Sequence, residues 1–445
     1  MNKSNRKNIA ILAFTLVVVM VGYGMVIPLF PFYIEKLGAS GRHLGLLVAT
    51  SSFLELLFGP VWGSISDRTG RKPIFLLGVL GYALSSLLFG LSTELWMLFA
   101  SRALSGLLSS AAMATALAYI SDSTVEADRG GGLGMLGAAA GLGIILGPAI
   151  GGWLGSSSLS LPFFIAAGAS LLALLLGALF LPESLPVEAR QQGAKVKTIR
   201  FGELWHALSG PIGLLLFMLF LVSFALTNFE AVFGLYAAQE LDYGPERVGT
   251  ILAVVGITST LGKAVLIGPL TKRWGEAPII KASLAASSAG FIVLLLAATY
   301  PAVLLATGVF ILSKTLLRTV IISLASKRAA SRQETEPNSA QSLALAGSLD
   351  SPASTRSRSD VMGQGATMGL CNSFLSLGRI VGPIWAGTIF DVNVNYPYLS
   401  GAAIMFIGFV ISLIWISQRH PPLTLPAGKG TGEDVAGTSV RPAAD

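Results

Sequence analysis

One cysteine, Cys371, stands in 445 residues, so the chain can form no disulfide within itself and offers no cysteine-based metal set. Histidine is nearly as scarce: His43, His206 and His420 fall in separate loops or span edges and cannot assemble an HExxH-type metal pair. No GxxxxGK[ST] loop occurs, which argues against direct coupling to a nucleotide. With no catalytic cluster left to build, an intramembrane enzyme is not expected, and neither is a metal or cofactor. Charge is thin as well. Charged residues make up 12% against 53% apolar ones, mean hydropathy is +0.71, and that balance excludes a water-soluble core inside a polar shell. The composition is that of a polytopic membrane protein.

A window of about 20 residues finds twelve apolar spans. They fall at roughly 9–33, 43–65, 74–91, 95–121, 132–155, 161–182, 211–238, 246–270, 279–298, 301–325, 362–390 and 396–417. An even number of crossings leaves both termini on one side. The N-terminus, alternate loops and the tail carry 22 of the 30 Lys and Arg, among them Arg68, Arg71, Lys72, Arg190, Lys272 and Arg273, whereas the opposite loops carry Lys36, Arg42 and Arg247. By the positive-inside rule both termini are expected in the cytoplasm of a cell-membrane protein. The formal charge of +7 would suggest nucleic acid in a soluble chain; here it is read as this topology signal, and no nucleic-acid partner is expected. Lys3, Arg6 and Lys7 precede an apolar stretch too long for a signal peptide, which is read as the first span.

The chain repeats itself. Gly63-Ser-Ile-Ser-Asp67-Arg68-Thr-Gly70-Arg71-Lys72-Pro73 returns 205 positions on as Gly268-Pro-Leu-Thr-Lys272-Arg273-Trp-Gly275-Glu-Ala-Pro278. A second pair, Gly147-Pro148-Ala-Ile-Gly151-Gly152 and Gly382-Pro383-Ile-Trp-Ala386-Gly387, is offset by 235, so the second half has gained an insert. A doubled membrane unit in parallel repeat builds a two-lobed carrier with its site between the lobes. The expected fold is an all-α membrane protein of twelve transmembrane helices in two pseudo-symmetric six-helix lobes. The first lobe covers 1–182, a cytoplasmic linker 183–210 with a short interfacial helix over Phe201 to Leu208 follows, and the second lobe covers 211–417. The Ser-, Ala- and Arg-rich insert 329–361 and the tail 418–445 are expected to be disordered.

Span five carries small residues four apart, Gly137 and Gly141 in one series and Gly143, Gly147 and Gly151 in another. Tight helix packing or, with Pro148 bending the helix, a pivot between lobes would explain them. Ionisable groups inside spans cost about 2.5–3.5 kcal/mol each, so each calls for a reason. The acids are Glu55 and Glu230; the cations are Arg102, Lys263, Lys314, Arg318 and Arg379. Lys263 is close enough to the span end to snorkel. Lys314 and Arg318, four apart, would repel unless an anion sits between them: Glu230, a substrate or a helix-end carbonyl.

These motifs have a family. Gly63 to Pro73 resembles the signature after the second helix of the major facilitator superfamily, and Arg102-Ala-Leu-Ser-Gly106 resembles its fourth-helix Arg motif. Gly143-Ile-Ile-Leu-Gly147-Pro148-Ala-Ile-Gly151-Gly152 is similar to the fifth-helix pattern of the drug–proton antiporter branch. Over all twelve spans the chain resembles Gram-positive-type multidrug efflux pumps, notably at Asn228-Phe229-Glu230, Cys371-Asn372-Ser373-Phe374 and Phe390-Asp391. The resemblance implies alternating access and export of small lipophilic compounds driven by inward proton flow, by a chain working as a monomer. The alternative is a proton-coupled symporter or an exporter of a sugar or other metabolite. Two departures stand out: Lys314 where such pumps often have an acid ahead of the tenth-helix Arg, and Glu55 where they commonly have Gln.

Site residues follow from both sources. Burial disfavours a carboxylate's charged form, so Glu230 is expected to carry the coupling proton, with Glu55 as reserve or partner and Arg102 taking part by resemblance. Gly63, Asp67, Arg68, Gly70, Arg71 and Lys72 are the expected conformational latch. Gly143, Gly147, Pro148, Gly151 and Gly152 form the antiporter motif. Substrate contacts are expected from Met20, Tyr23, Ile144, Phe229, Phe233, Tyr236, Phe310, Arg318 and Asn372.

Overall fold

In the computed structural model, residues 3–123, 126–190, 201–210, 212–345 and 364–417 are described, and among them every regular element is helical. Twelve helices are long and apolar enough to cross a membrane. They are α1 (Ile11–Lys36), α2 (Gly41–Thr69), α3 (Arg71–Gly90), α4 (Leu95–Ser123), α5 (Gly137–Ser157), α6 (Leu161–Phe180), α7 (Gly213–Leu241), α8 (Pro245–Trp274), α9 (Glu276–Leu296), α10 (Tyr300–Arg328), α11 (Thr367–Phe390) and α12 (Tyr396–Trp415). Each agrees with an expected span to within a few residues, because a run of about 20 apolar residues can satisfy its backbone in lipid only as a helix. Leu179, Leu296 and Leu305 are among the large apolar side chains left facing outward, as lipid contact requires.

The packing pattern of the first six helices recurs in the last six. α1 packs on α5 and α3 on α4 and α6; in the second half α7 packs on α11 and α9 on α10 and α12. The halves meet through two crossings related by the same symmetry, α2 on α11 and α5 on α8. Glycine permits both. A Cβ on Gly45 would run into the Pro383 carbonyl, and one on Gly249 into the Pro148 carbonyl, so neither position has room for a side chain.

Each half has its own aromatic core. Phe89 stacks on Phe163 at 4.4 Å between centroids, with Tyr33 edge-on to both. In the second half Phe310 packs against Phe229 and Phe291 at 5.3 and 4.5 Å.

One segment differs from expectation. α10 continues as a single helix to Leu345, so residues 329–345 of the insert are helical, in keeping with the helix-forming Ala, Arg, Gln and Glu there. The rest of the insert to 361, the linker residues 191–200 and the tail 418–445 lie outside the described residues. The short linker helix stands at Phe201–Leu208, as expected, with Trp205 exposed.

Candidate transport site

Between the halves lies a cavity of about 800 Å³, ample for a drug-sized molecule. Its walls come from both halves: Tyr23, Glu55, Met113, Ile144 and Pro148 on one side, Thr227, Glu230, Leu252, Arg318, Asn372 and Arg379 on the other. The lining reaches from mid-span toward the end of the bundle that carries both termini, down to Pro60, Leu117 and Gly369. At the opposite end the α2–α11 and α5–α8 crossings bring the halves together.

Two smaller chambers extend the site toward that closed end. One, of about 80 Å³, is lined by Phe30, Pro31, Leu44, Arg102, Glu230 and Arg379 among others; the second, of about 20 Å³, lies inside the first half around Tyr82, Ser86 and Arg102. Both are large enough for water and have polar partners for it. Glu230 and Arg379 line the large cavity and the 80 Å³ chamber alike, so they stand at the partition between open and closed sides.

The helix register explains which residues reach the cavity. On α7 the stripe Val222, Ser223, Leu226, Thr227 and Glu230 faces it. Phe229, Phe233 and Tyr236 fall on the adjacent stripe, which packs into the second half, where they and Phe310 are at most 5% exposed. These four expected substrate contacts are core residues in this conformation. Met20 likewise packs against Gly143 in the α1–α5 contact. Tyr23, Ile144, Arg318 and Asn372 do line the cavity.

Lys314 and Arg318 part company although they are one turn apart. Arg318 faces the cavity. Lys314 is 2% exposed, its Nζ finds no hydrogen-bond partner, and it lies 4.2 and 4.8 Å from the ring centroids of Phe310 and Phe291. Arg102 is buried, bonds Ser51 Oγ, and sits 4.8 Å over the Phe30 ring. Glu55 pairs across the halves with Arg379, Nη2 to Oε2, at 3.4 Å. Arg379 is the participant to which the sequence reading gave no role. The available signal was that an acid gained on α2 needs a compensating cation facing it.

At the end bearing the termini, the expected latch residues gather around Arg71. It pairs with Asp67 at 2.5 Å and with Asp122 at 2.8 Å. Glu183, after α6, accepts the Arg71 and Lys72 backbone N–H groups, capping α3. Gly70 takes φ 111°, and a Cβ there would strike the Glu183 carboxylate. Lys72 Nζ donates to the Ala178 carbonyl, while Gly63 has open space beside it. The Asp67 ion pair is therefore within the first half. In the antiporter motif, Gly143, Gly147 and Gly151 press on α1 whereas Gly152 presses on Gly249 of α8, so one helix uses two glycine faces for two different neighbours. Pro148 lies inside the helix and lines the cavity.

Comparison with known proteins adds the family context. The profile of the Major Facilitator Superfamily matches residues 12–335. The chain is 30% identical to Multidrug resistance protein 1 of Bacillus subtilis over 418 residues, covering 93% of this chain and 98% of that one. It is 27% identical to the quinolone resistance protein NorA of Staphylococcus aureus, covering 93% and 97%. Among solved structures, the nucleoside transporter NupG superposes with a TM-score of 0.70 at 14% identity, covering 93% and 98%. The human organic anion transporter MFSD10 does so at 0.63 and 19%, covering 93% and 100%.

Proposed function

The chain belongs to the major facilitator superfamily and is a multi-pass membrane transporter of small molecules, not an enzyme, and we propose that it exports lipophilic compounds across the cell membrane in exchange for protons. Both termini are cytoplasmic in this reading, so the cavity opens inward. The observation that carries it is the position of Glu230, a carboxylate inside the span that touches both the inward-reaching cavity and the closed outer chamber. A group so placed can take a proton from one side and release it to the other as the halves rock. The multidrug and quinolone resistance functions of the relatives support the substrate class.

The energetics allow one proton per cycle. At roughly 150 mV an entering proton releases about 3.5 kcal/mol. A hundredfold gradient of a neutral compound costs about 2.7 kcal/mol. A second acid on α10 is not required, which makes Lys314 tolerable there. Tyr23, Ile144 and Asn372 offer an aromatic ring, an apolar wall and one amide for a flat lipophilic molecule, with Arg318 beside them.

The test is transport into inside-out vesicles with and without an imposed pH gradient, across lipophilic cations, quinolones, tetracyclines and sugars. Gradient-dependent accumulation of lipophilic compounds is expected. Accumulation of a sugar alone, or uptake in the opposite sense, would overturn the reading.

A further inference from the structure

Among the described residues, the ion pairs Asp67–Arg71 and Arg71–Asp122 lie within the first half and Glu276–Lys327 within the second. Glu55–Arg379 joins the two. At 3.4 Å it is longer than a tight charge-assisted hydrogen bond, and both side chains are open to the cavity, 46% and 40% exposed. A loose pair in a wet cavity can exchange partners. A second carboxylate is at hand: Glu230, in the same half as Arg379, lines the same two spaces.

We propose that Arg379 is the coupling residue of this carrier, one guanidinium contested by Glu55 across the interface and Glu230 within its own half. This rests on the reading of Glu230 as the proton-binding group. When Glu230 holds a proton, Glu55 is the carboxylate left to Arg379, and the pair links α2 to α11 at the inner edge of the crossing that shuts the outer end. When the proton leaves to the cytoplasm, Glu230 draws Arg379 back into the second half and the link across the halves weakens. Protonation therefore favours the outer-closed form, and by reciprocity the outer-closed form holds the proton more tightly. This sense of coupling returns a proton-loaded carrier inward, as export driven by proton entry needs.

The other ionisable groups facing this cluster are Tyr23 on α1, Tyr82 on α3, Arg102 on α4, Lys314 and Arg318 on α10 and, beyond Arg318, Lys263 on α8. Among the described residues this set holds no third carboxylate to compete with Glu55 and Glu230 for Arg379. Glu55 also gains a reason to stand where similar pumps have Gln: with Arg379 it forms a link that an amide could not make switchable.

The experiment uses the full chain in lipid nanodiscs, with Cys371→Ser, and spin labels attached through Ser156→Cys at the outer end of α5 and Asn395→Cys just before the outer end of α12. The interlabel distance distribution is read in mildly alkaline and mildly acidic buffer. The parent should gain outer-closed population on acidification by about fivefold or more, within the usual range for coupled sites. Glu230→Gln should be outer-closed at both pH values. Glu55→Gln and Arg379→Gln should each lose the pH response, and the double variant should be no worse than either single one, as for residues acting as a pair. Melting temperature monitors folding, and Arg379→Lys, which keeps the charge, should retain part of the response if Arg379→Gln fails to fold. A parent-like pH response in Glu55→Gln, with Glu230→Gln unresponsive, overturns the role of Arg379 and leaves Glu230 standing. A parent-like response in Glu230→Gln overturns the reading of Glu230 itself.

Discussion

The Asp391 carboxylate, just beyond α11, accepts the backbone N–H groups of Gly41 and Arg42 at 2.6 and 2.9 Å, capping the first turn of α2 from the other half of the molecule. Helix starts leave N–H groups unsatisfied and favour negative charge, so this one residue ties the halves together at the closed end. Asp391→Asn keeps one acceptor and loses the charge. Charge-assisted hydrogen bonds contribute about 1.5–3 kcal/mol against about 1 for neutral ones. The variant should open its outer end more readily, by roughly tenfold in the closed-to-open ratio, as read by the accessibility of a cysteine introduced at Ser40. Unchanged accessibility would mean that the helix crossings close this end without the Asp391 cap.

That glycine contact has its own test. Gly45→Leu places a side chain where even a Cβ would meet the Pro383 carbonyl. Overpacking of this kind costs about 1–3 kcal/mol. Here the cost falls on the outer-closed form alone, so the variant should express and insert, accumulate with its outer end open, and transport several-fold more slowly. A parent-like transport rate would show that the crossing tolerates a gap.

Asp67 pairs with Arg71 in the conformation described, with its reach toward the second half unused. The latch reading expects it to engage that half when the inner face closes, favoured by about 0.3–1 kcal/mol for a carboxylate near a helix N-terminus. Asp67→Asn should slow transport two- to fivefold, leaving expression and substrate-induced stabilisation nearly intact. Full-rate transport in the variant would confine Asp67 to the Arg71 cluster.

Topology is open to direct labelling. Tags at Ser4, Gln192, Ser351 and Gly430 should be reachable from the cytoplasm alone, and those at Ser40, Ser157 and Asn395 from outside alone. Labelling of Ser351 from outside would break the orientation on which the direction of transport depends.

The spans were legible because hydropathy over about 20 residues is dictated by the bilayer, and the doubling because Gly, Arg, Gly and Pro recur at fixed spacing. Facing was less legible. Phe229, Phe233 and Tyr236 sit at helical spacing beside Glu230, yet spacing alone does not say which of two adjacent stripes meets the cavity; the aromatic one packs on Phe310 of α10 and Tyr398 of α12 and so belongs to the core. The same ambiguity hid the divergence of Lys314 from Arg318. The pairing of Glu55 with Arg379 spans 324 positions and needs the two halves assembled before it exists. Asp391 was noted for resemblance alone, since its partners are backbone groups that no sequence pattern marks.

Proton-coupled export through Glu230 is tested most directly by substrate accumulation in inside-out vesicles under an imposed pH gradient, parent against Glu230→Gln, with substrate-induced thermal stabilisation of the purified proteins measured alongside. The parent should concentrate substrate when the gradient is present, and Glu230→Gln should be stabilised by substrate as before yet fail to concentrate it. Gradient-driven accumulation by Glu230→Gln would contradict the assignment and move the proton to Glu55.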